Sequence, residues 1–328
     1  MTGTRGHRSP GAAATAALLC AVTAAGLYGC SDTGPSQPRP TPTPAPATTE
    51  GISPLTGRPA RSGPVLAVKI DNVPPARPHT GLDAADLVYV EQVESGQTRL
   101  MAVYSSRLPD RVGPVRSARE SDLGLLSQFG RPVLAYSGAQ SALTPLIKAA
   151  PLHPVTEADT PRAFVRDPGR SAPYNLYLRP DRALATAPDA THAKDIGFRF
   201  GPAPADGTPV NSRTVRFPAA RYTFTWAPAE RAWHVTMDGR SDGPLKPATV
   251  VVQHVTVQPS RFHDFTGAVS PYTVTTGSGT AQVLRDGRVH EARWSRPSAE
   301  AGTTFTTPSG APLNFAPGQV WVLLTGSR

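Results

Sequence analysis

From about residue 205 to the C-terminus the sequence carries short β-rich runs separated by turn signals and shows no helix-scale periodicity. A chain patterned this way is committed to sheet over that span. Arg221–Trp226, Ala232–Met237, Thr249–Val257, Tyr272–Thr275, Ala281–Arg285, Val289–Trp294 and Val320–Leu324 read as strands, with Met237-Asp238-Gly239 and Arg285-Asp286-Gly287 as turns between them. The preceding part is mixed. Val65–Ile70, Leu87–Val93, Arg99–Tyr104 and Pro132–Tyr136 read as strands, the middle two as a hairpin closed by Glu94-Ser95-Gly96-Gln97. Ser117 and Glu120 have the spacing of a capping box ahead of Leu123, Leu125, Leu126 and Phe129, which predicts a helix stopped by Gly130. Gln140–Ala150 is a weaker helical stretch that must kink or restart at Pro145. The expected class is α+β: an N-terminal mixed α/β domain over 51–200, then a C-terminal, mostly antiparallel β domain over 210–328, joined through the Gly/Pro-rich Gly197–Val210.

The first fifty residues belong to neither part. Arg5, His7 and Arg8 form a basic start, Ala12 to Gly26 an apolar stretch, and Leu27-Tyr28-Gly29-Cys30 a lipobox, so residues 1–30 read as a lipoprotein signal peptide. Cys30 is then the lipid attachment site and the mature N-terminus. The chain has two cysteines, Cys20 and Cys30, and neither has a partner further along the sequence. Residues 31–50 are rich in Pro and Thr and read as a linker in extended polyproline II. At about 3.1 Å per residue it spans up to roughly 60 Å. The expected location is the extracytoplasmic face of the cell membrane, reached through the lipid anchor.

Composition excludes more than it identifies. A chain of 328 residues with 39% hydrophobic and 17% charged residues has enough apolar material for a packed core. The net charge of +9 comes from 33 basic residues, of which only Lys69, Lys148, Lys194 and Lys246 are lysine. No Lys/Arg run interleaves with aromatics, and the export signal removes the chain from cytoplasmic nucleic acid, so nucleic acid is set aside as a partner. No G-x-S-x-G, P-loop, H-E-x-x-H or G-x-G-x-x-G motif occurs. No catalytic residue, metal ligand or cofactor is assigned.

Eight separated motifs agree with one known pattern. Ser53-Pro54-Leu55-Thr56-Gly57, KIDN (69–72), ARPHTGL (76–82), ADLVYVEQVESGQTRLMAVY (85–104), GPVRSAR (113–119), SAPYNLYL (171–178), GSGTAQVLRDGRVHEARW (277–294) and PGQVW (317–321) follow in order. In this order and spacing the chain resembles the YerB-like lipoprotein family, a two-part extracytoplasmic domain of unknown function. The resemblance implies lipid anchoring, an N-terminal α/β part and a C-terminal β part, and supplies no activity. Members often carry His before the Asn-Leu-Tyr, where this chain has Tyr174.

The chemistry-bearing residues concentrate in 71–119. Asp71 and Asn72 stand at the end of a strand, a usual place for ligand groups. Between 97 and 119 lie Arg99, Arg107, Arg111, Arg116 and Arg119 against Asp110 alone. Arginine forks offer paired donors to phosphate or carboxylate, so Asp71, Asn72, Glu91, Arg99, Arg116 and Arg119 form a candidate ligand-binding set. Asn175 joins it as an amide for sugar; the other reading, which its setting favours, is a residue that closes a loop. Two readings stay open: an anion site, or an internal network of the arginines with Glu91, Glu94, Glu120 and Asp122. Glu91 and Glu94 fall on opposite faces of a regular strand and converge only if the strand breaks before Glu94. The function classes carried forward are an envelope binding or scaffold protein, taking an anionic or glycan ligand or a partner protein, and an envelope hydrolase. In the hydrolase, which would act on a phosphodiester or glycosidic bond, Asp71 or Glu91 serves as acid/base.

Overall fold

The computed structural model describes residues 51–264 and 266–326. The signal peptide, the Pro/Thr-rich linker and Cys30 lie outside the described residues. Five strands come first: β1 (Leu66–Asp71), β2 (Leu87–Gln92), β3 (Thr98–Tyr104), β4 (Val133–Ala135) and β5 (His153–Val155). A small ribbon follows, β6 (Phe164–Arg166) with β7 (Leu176–Leu178), and then the two-residue β8 (Thr208–Pro209). Four antiparallel strands, β9 (Ser212–Phe217), β10 (Ala220–Ala227), β11 (Ala232–Met237) and β12 (Arg240–Ser241), make a second sheet. The last six are β13 (Thr249–His263), β14 (Val269–Val274), β15 (Gly277–Arg285), β16 (Arg288–Arg296), β17 (Thr304–Thr306) and β18 (Val320–Gly326).

Twelve of these strands form one mixed sheet, ordered β17-β16-β15-β13-β18-β2-β3-β1-β4-β5, with β14 on β13 and β8 on β16. The seam is β18. This C-terminal strand runs parallel to β13 on one side and parallel to β2 on the other, with Trp321 opposite Val250 and Val88. The sheet therefore passes without interruption from the first part of the chain to the second, and the described residues form a single compact unit.

Period-two alternation sorts the central strands into two cores. Leu66, Val68, Ile70, Val88, Val90, Leu100, Ala102, Trp321 and Leu323 face one side. There they pack on Tyr222, Phe224, Trp233 and Met237 of the second sheet, with the Trp321 ring 6.0 Å from Phe224 and 6.4 Å from Tyr222. Ala67, Leu87, Tyr89, Met101, Val103, Val320 and Val322 face the other. They are covered by Leu125, Leu126 and Phe129 and by Phe198, Phe305 and Phe315. Being buried on both faces, these strands read as continuous apolar runs. Of the four tryptophans, Trp233, Trp294 and Trp321 are buried in the core and Trp226 packs against it half-buried.

The helices fall short of an α+β composition. The three α-helices among the described residues, α1 (Glu120–Leu126), α2 (Thr144–Ala149) and α3 (Pro180–Leu184), have seven, six and five residues. The protein is mostly β around a large mixed sheet. Pro145 does restart its helix: a 3₁₀ turn at Ser141–Leu143 gives way to α2, with Pro145 in the first turn. The capping box is displaced by two residues. Ser117 does not cap; the N-cap of α1 is Arg119, whose backbone N–H donates to Asp122 Oδ2 at 2.6 Å. The reason is local. Ser137 N–H donates to Arg116 O, and Ala118 N–H to Gly138 O, so 116–118 is held alongside 137–138 and the helix begins later.

Candidate functional site

Antiparallel register puts three of the candidate residues in one row. Asp71 on β1 stands opposite Arg99 on β3, and Arg99 stands opposite Glu91 on β2. Directly opposed residues share a face, so all three point to the side of the sheet that α1 covers. Lys69, two residues before Asp71, joins them. Its ammonium is wholly buried and donates to Glu91 Oε2 at 2.8 Å and Asp122 Oδ1 at 2.6 Å. Two carboxylates thus share one buried cation. Burial pushes the Glu91 carboxyl up to about 7; Lys69 opposes the rise and Asp122 adds to it. For Lys69, burial works to lower the ammonium, but Asp122 and then Glu91 outweigh it and the net shift is upward. Glu91 Oε1 is buried with no hydrogen-bond partner.

β2 does break before Glu94. Ser95 (φ 57°) and Gly96 (φ 70°) are left-handed, and a Cβ on Gly96 would lie 2.5 Å from Pro218. The turn sends Glu94 to a different partner from Glu91. Arg119 grips Glu94 with both edges of its fork, Nε to Oε1 at 2.6 Å and Nη2 to Oε2 at 2.7 Å, and Ser270 Oγ donates to Oε1 as well. Burial works to raise the Glu94 carboxyl, but the bonds from Arg119 and Ser270 outweigh it and hold it below its ordinary value. Arg116 Nε lies 3.0 Å from Asp71 Oδ2. Two of the three arginines are therefore paired internally.

Arg99 is the exception. Only 9% of its surface is exposed, and it has no carboxylate partner among the described residues. Nη1 donates to Ser117 O at 3.0 Å, while Nε is buried and unpartnered. Burial, then the neighbouring Arg119, pull its guanidinium down to about 10, with Asp71 and Glu94 partly offsetting them. It remains ionised at neutral pH. Arg99 lines a cavity of about 680 Å³ together with Arg116, Ser117, Arg119, Gln140 and Phe262. Arg116 Nε, although it lies beside Asp71, and Gln140 Oε1 are further buried atoms on that wall without a hydrogen-bond partner. Asp71 and Glu91 sit behind the wall, 3% and 1% exposed, and do not line the cavity.

The remaining candidates go elsewhere. Asn72, one residue past Asp71, points to the opposite face and is a docking group. Its Nδ2 donates to Thr98 Oγ1 at 3.0 Å and to Tyr222 Oη, and its Oδ1 accepts from Arg77 Nε at 3.1 Å. Arg77 continues to Met237 O and Asp238, tying the second sheet to the end of β1. His79 does the same: its ring nitrogens face Asp242 Oδ2 and, at 2.8 Å, Asp71 O. Asn175 is apart from the arginines, its Oδ1 accepting from Arg166 Nη1 at 3.0 Å beside an exposed Arg166–Glu157 pair. Sequence reasoning left Lys69 and Gln140 out of the candidate set and named Asp122 only as a partner for the arginines. Lys69 alone carried a signal, a charged residue inside an otherwise apolar strand. No grouping of three metal-capable side chains occurs among the described residues. No helix there is long and apolar enough to cross a membrane.

Comparison with known proteins fits this architecture. YerB of Bacillus subtilis strain 168, which carries the name "Putative lipoprotein YerB", is 48% identical over 65 residues, 20% of this chain. The aligned segment spans 19% of that relative's own length. The crystal structure of YerB from Bacillus subtilis superposes with a TM-score of 0.71 at 20% identity, covering 83% of this chain and 95% of that one. It shares the fold. Residues 52–194 match the N-terminal domain, and residues 213–322 the C-terminal domain, of a protein family of unknown function, DUF3048. Arg99, Arg116, Arg119 and Gln140 on the cavity wall come from the first match and Phe262 from the second. With the two matches together spanning most of its length, the chain belongs to the DUF3048 family.

Proposed function

We propose that the chain is a lipoprotein held on the extracytoplasmic face of the cell membrane through Cys30, and that its body binds an anionic envelope ligand seated on Arg99. The lipobox and the name of the Bacillus relative support the anchor. One observation carries the binding reading: a guanidinium nine-tenths buried beside a cavity, with an unpartnered Nε and no carboxylate of its own. A buried donor left unmade costs about 1–3 kcal/mol, and more for a charged group, so the arrangement favours a state in which an anion completes it. Hydrolysis fits the geometry less well, because Asp71 and Glu91 are screened from the cavity by the groups they pair with.

Two measurements test the proposal. Wild-type protein should partition into detergent, and Cys30→Ala should be released or remain an uncleaved precursor. Equal detergent partitioning of both would refute the anchor. Oxyanions should stabilise the wild type by RT ln(1 + [L]/Kd), about 2.7 kcal/mol at a hundred times Kd, read as a raised thermal midpoint. A midpoint indifferent to every oxyanion would refute the binding site.

A further inference from the structure

The charges facing the cavity are not equal. Arg119 is matched by Glu94 through two hydrogen bonds, and the charge of Arg116 by Asp71 at 3.0 Å, although Arg116 Nε, like that of Arg99, makes no hydrogen bond. Of the acids on the wall, Glu120 accepts from Ser260 Oγ at 2.5 Å and lies 3.7 Å from Arg261. Asp264 Oδ1 is taken by its own loop, accepting from the N–H groups of Thr266 and Ala268. The cation left over is Arg99, whose Nη1 is already held by Ser117 O. Its Nε–H and an Nη2–H lie on one edge of the guanidinium, the geometry that takes two oxygens of one anion side-on. Gln140 Oε1, on the same wall, is an acceptor that lacks a donor.

We infer that the ligand is a hydroxylated monoanion: an oxyanion of one negative charge docked on the free edge of Arg99, with a neighbouring hydroxyl donating to Gln140 Oε1. A sugar carboxylate and a polyol phosphodiester share this chemistry. A phosphate monoester or a polyphosphate brings a second charge that no unpaired cation on the wall meets. The inference rests on the anion-site reading above and narrows it.

The test is calorimetric titration of the full chain in detergent at pH 7.5 with five probes: D-glucuronate, glycerophosphoglycerol, acetate, dimethyl phosphate and glycerol 3-phosphate. At least one hydroxylated monoanion should bind about tenfold or more tightly than its bare counterpart. Glycerol 3-phosphate should bind no more tightly than the diester. Whether glucuronate or the diester is preferred identifies the source. Gln140→Leu should erase the preference while leaving acetate and dimethyl phosphate unchanged, Gln140→Glu should repel all five, and Arg99→Met should abolish binding. Tightest binding of the dianion, or a preference that survives Gln140→Leu and Gln140→Glu, would overturn the inference. Binding of all five anions without preference would overturn it and leave the anion site standing, whereas binding of none would remove the site itself.

Discussion

The two ends of helix α1 each hold a buried guanidinium that has no carboxylate partner among the described residues, and they are built in opposite ways. At the C-terminal end Arg296 is completely buried. Its Nη2 donates to Gly124 O at 2.8 Å and to Leu125 O and Ala299 O, its Nε to Ala301 O at 3.0 Å, and its Nη1 to Thr275 Oγ1 at 2.7 Å. Carbonyls at a helix C-terminus welcome a cation, so this arginine ties the end of α1 to β16 and is complete without a ligand. Ahead of the helix, Arg99 keeps one bond, an unpartnered Nε and a place on a cavity wall. The residue type and burial are alike, and what differs is whether the fold itself supplies the acceptors. An arginine whose acceptors are all in place belongs to the structure; one left short of them is available to something else.

Arg296→Met should expose this difference most strongly. It leaves the acceptors at Gly124, Thr275, Ala299 and Ala301 without their donor and should cost more than about 3 kcal/mol, read as a lowered urea midpoint that anions do not restore. A midpoint close to wild type would remove the contrast. The next effect comes from the row behind the cavity. Glu91 holds its proton more tightly in the folded protein than its ordinary value of 4.5 allows, up to about 7. Its contribution to stability is therefore full below the ordinary value and is lost as pH rises through the folded one. The difference is about 3 kcal/mol at most. Glu91→Gln should flatten the wild-type fall in stability over that pH window; an unchanged slope would place the titration elsewhere. The smallest effect is expected at Ser117. As N-cap its loss to Ala would cost about 0.5–2 kcal/mol, but it does not cap, so Ser117→Ala should stay within about 0.5 kcal/mol of wild type.

Much of this architecture was legible and the decisive part of the site was not, for a physical reason. Strands such as β1, β2, β3 and β11 announced themselves because alternation and β-branched runs are local, and the restart at Pro145 follows from one residue's missing N–H. The parallel placement of β18 against β2 joins residues more than two hundred positions apart, and nothing within either run specifies it. The same limit applies to charge. Arg99, Arg116 and Arg119 were recognised as a group, but which of them is paired depends on Asp71, Glu94 and the β1–β3–β2 register. The cluster of arginines in 97–119 looked strongly basic along the chain; in space, carboxylates from other strands and turns balance two of the three. Ser117 misled because its spacing to Glu120 was right while the backbone of 116–118 was already engaged with 137–138.

The central claim is that Arg99 is held for a ligand and not for the fold. Its direct test is the urea midpoint of Arg99→Met, which keeps the buried stem and removes the charge, compared with wild type in a non-coordinating buffer and again with a bound oxyanion. The account predicts a variant at least as stable as wild type without anion, since a poorly satisfied buried charge has been taken away, and a variant that no longer gains stability when anion is added. A variant destabilised by several kcal/mol in the absence of anion, with the wild type equally indifferent to anion, would contradict it and place Arg99 beside Arg296 as part of the structure.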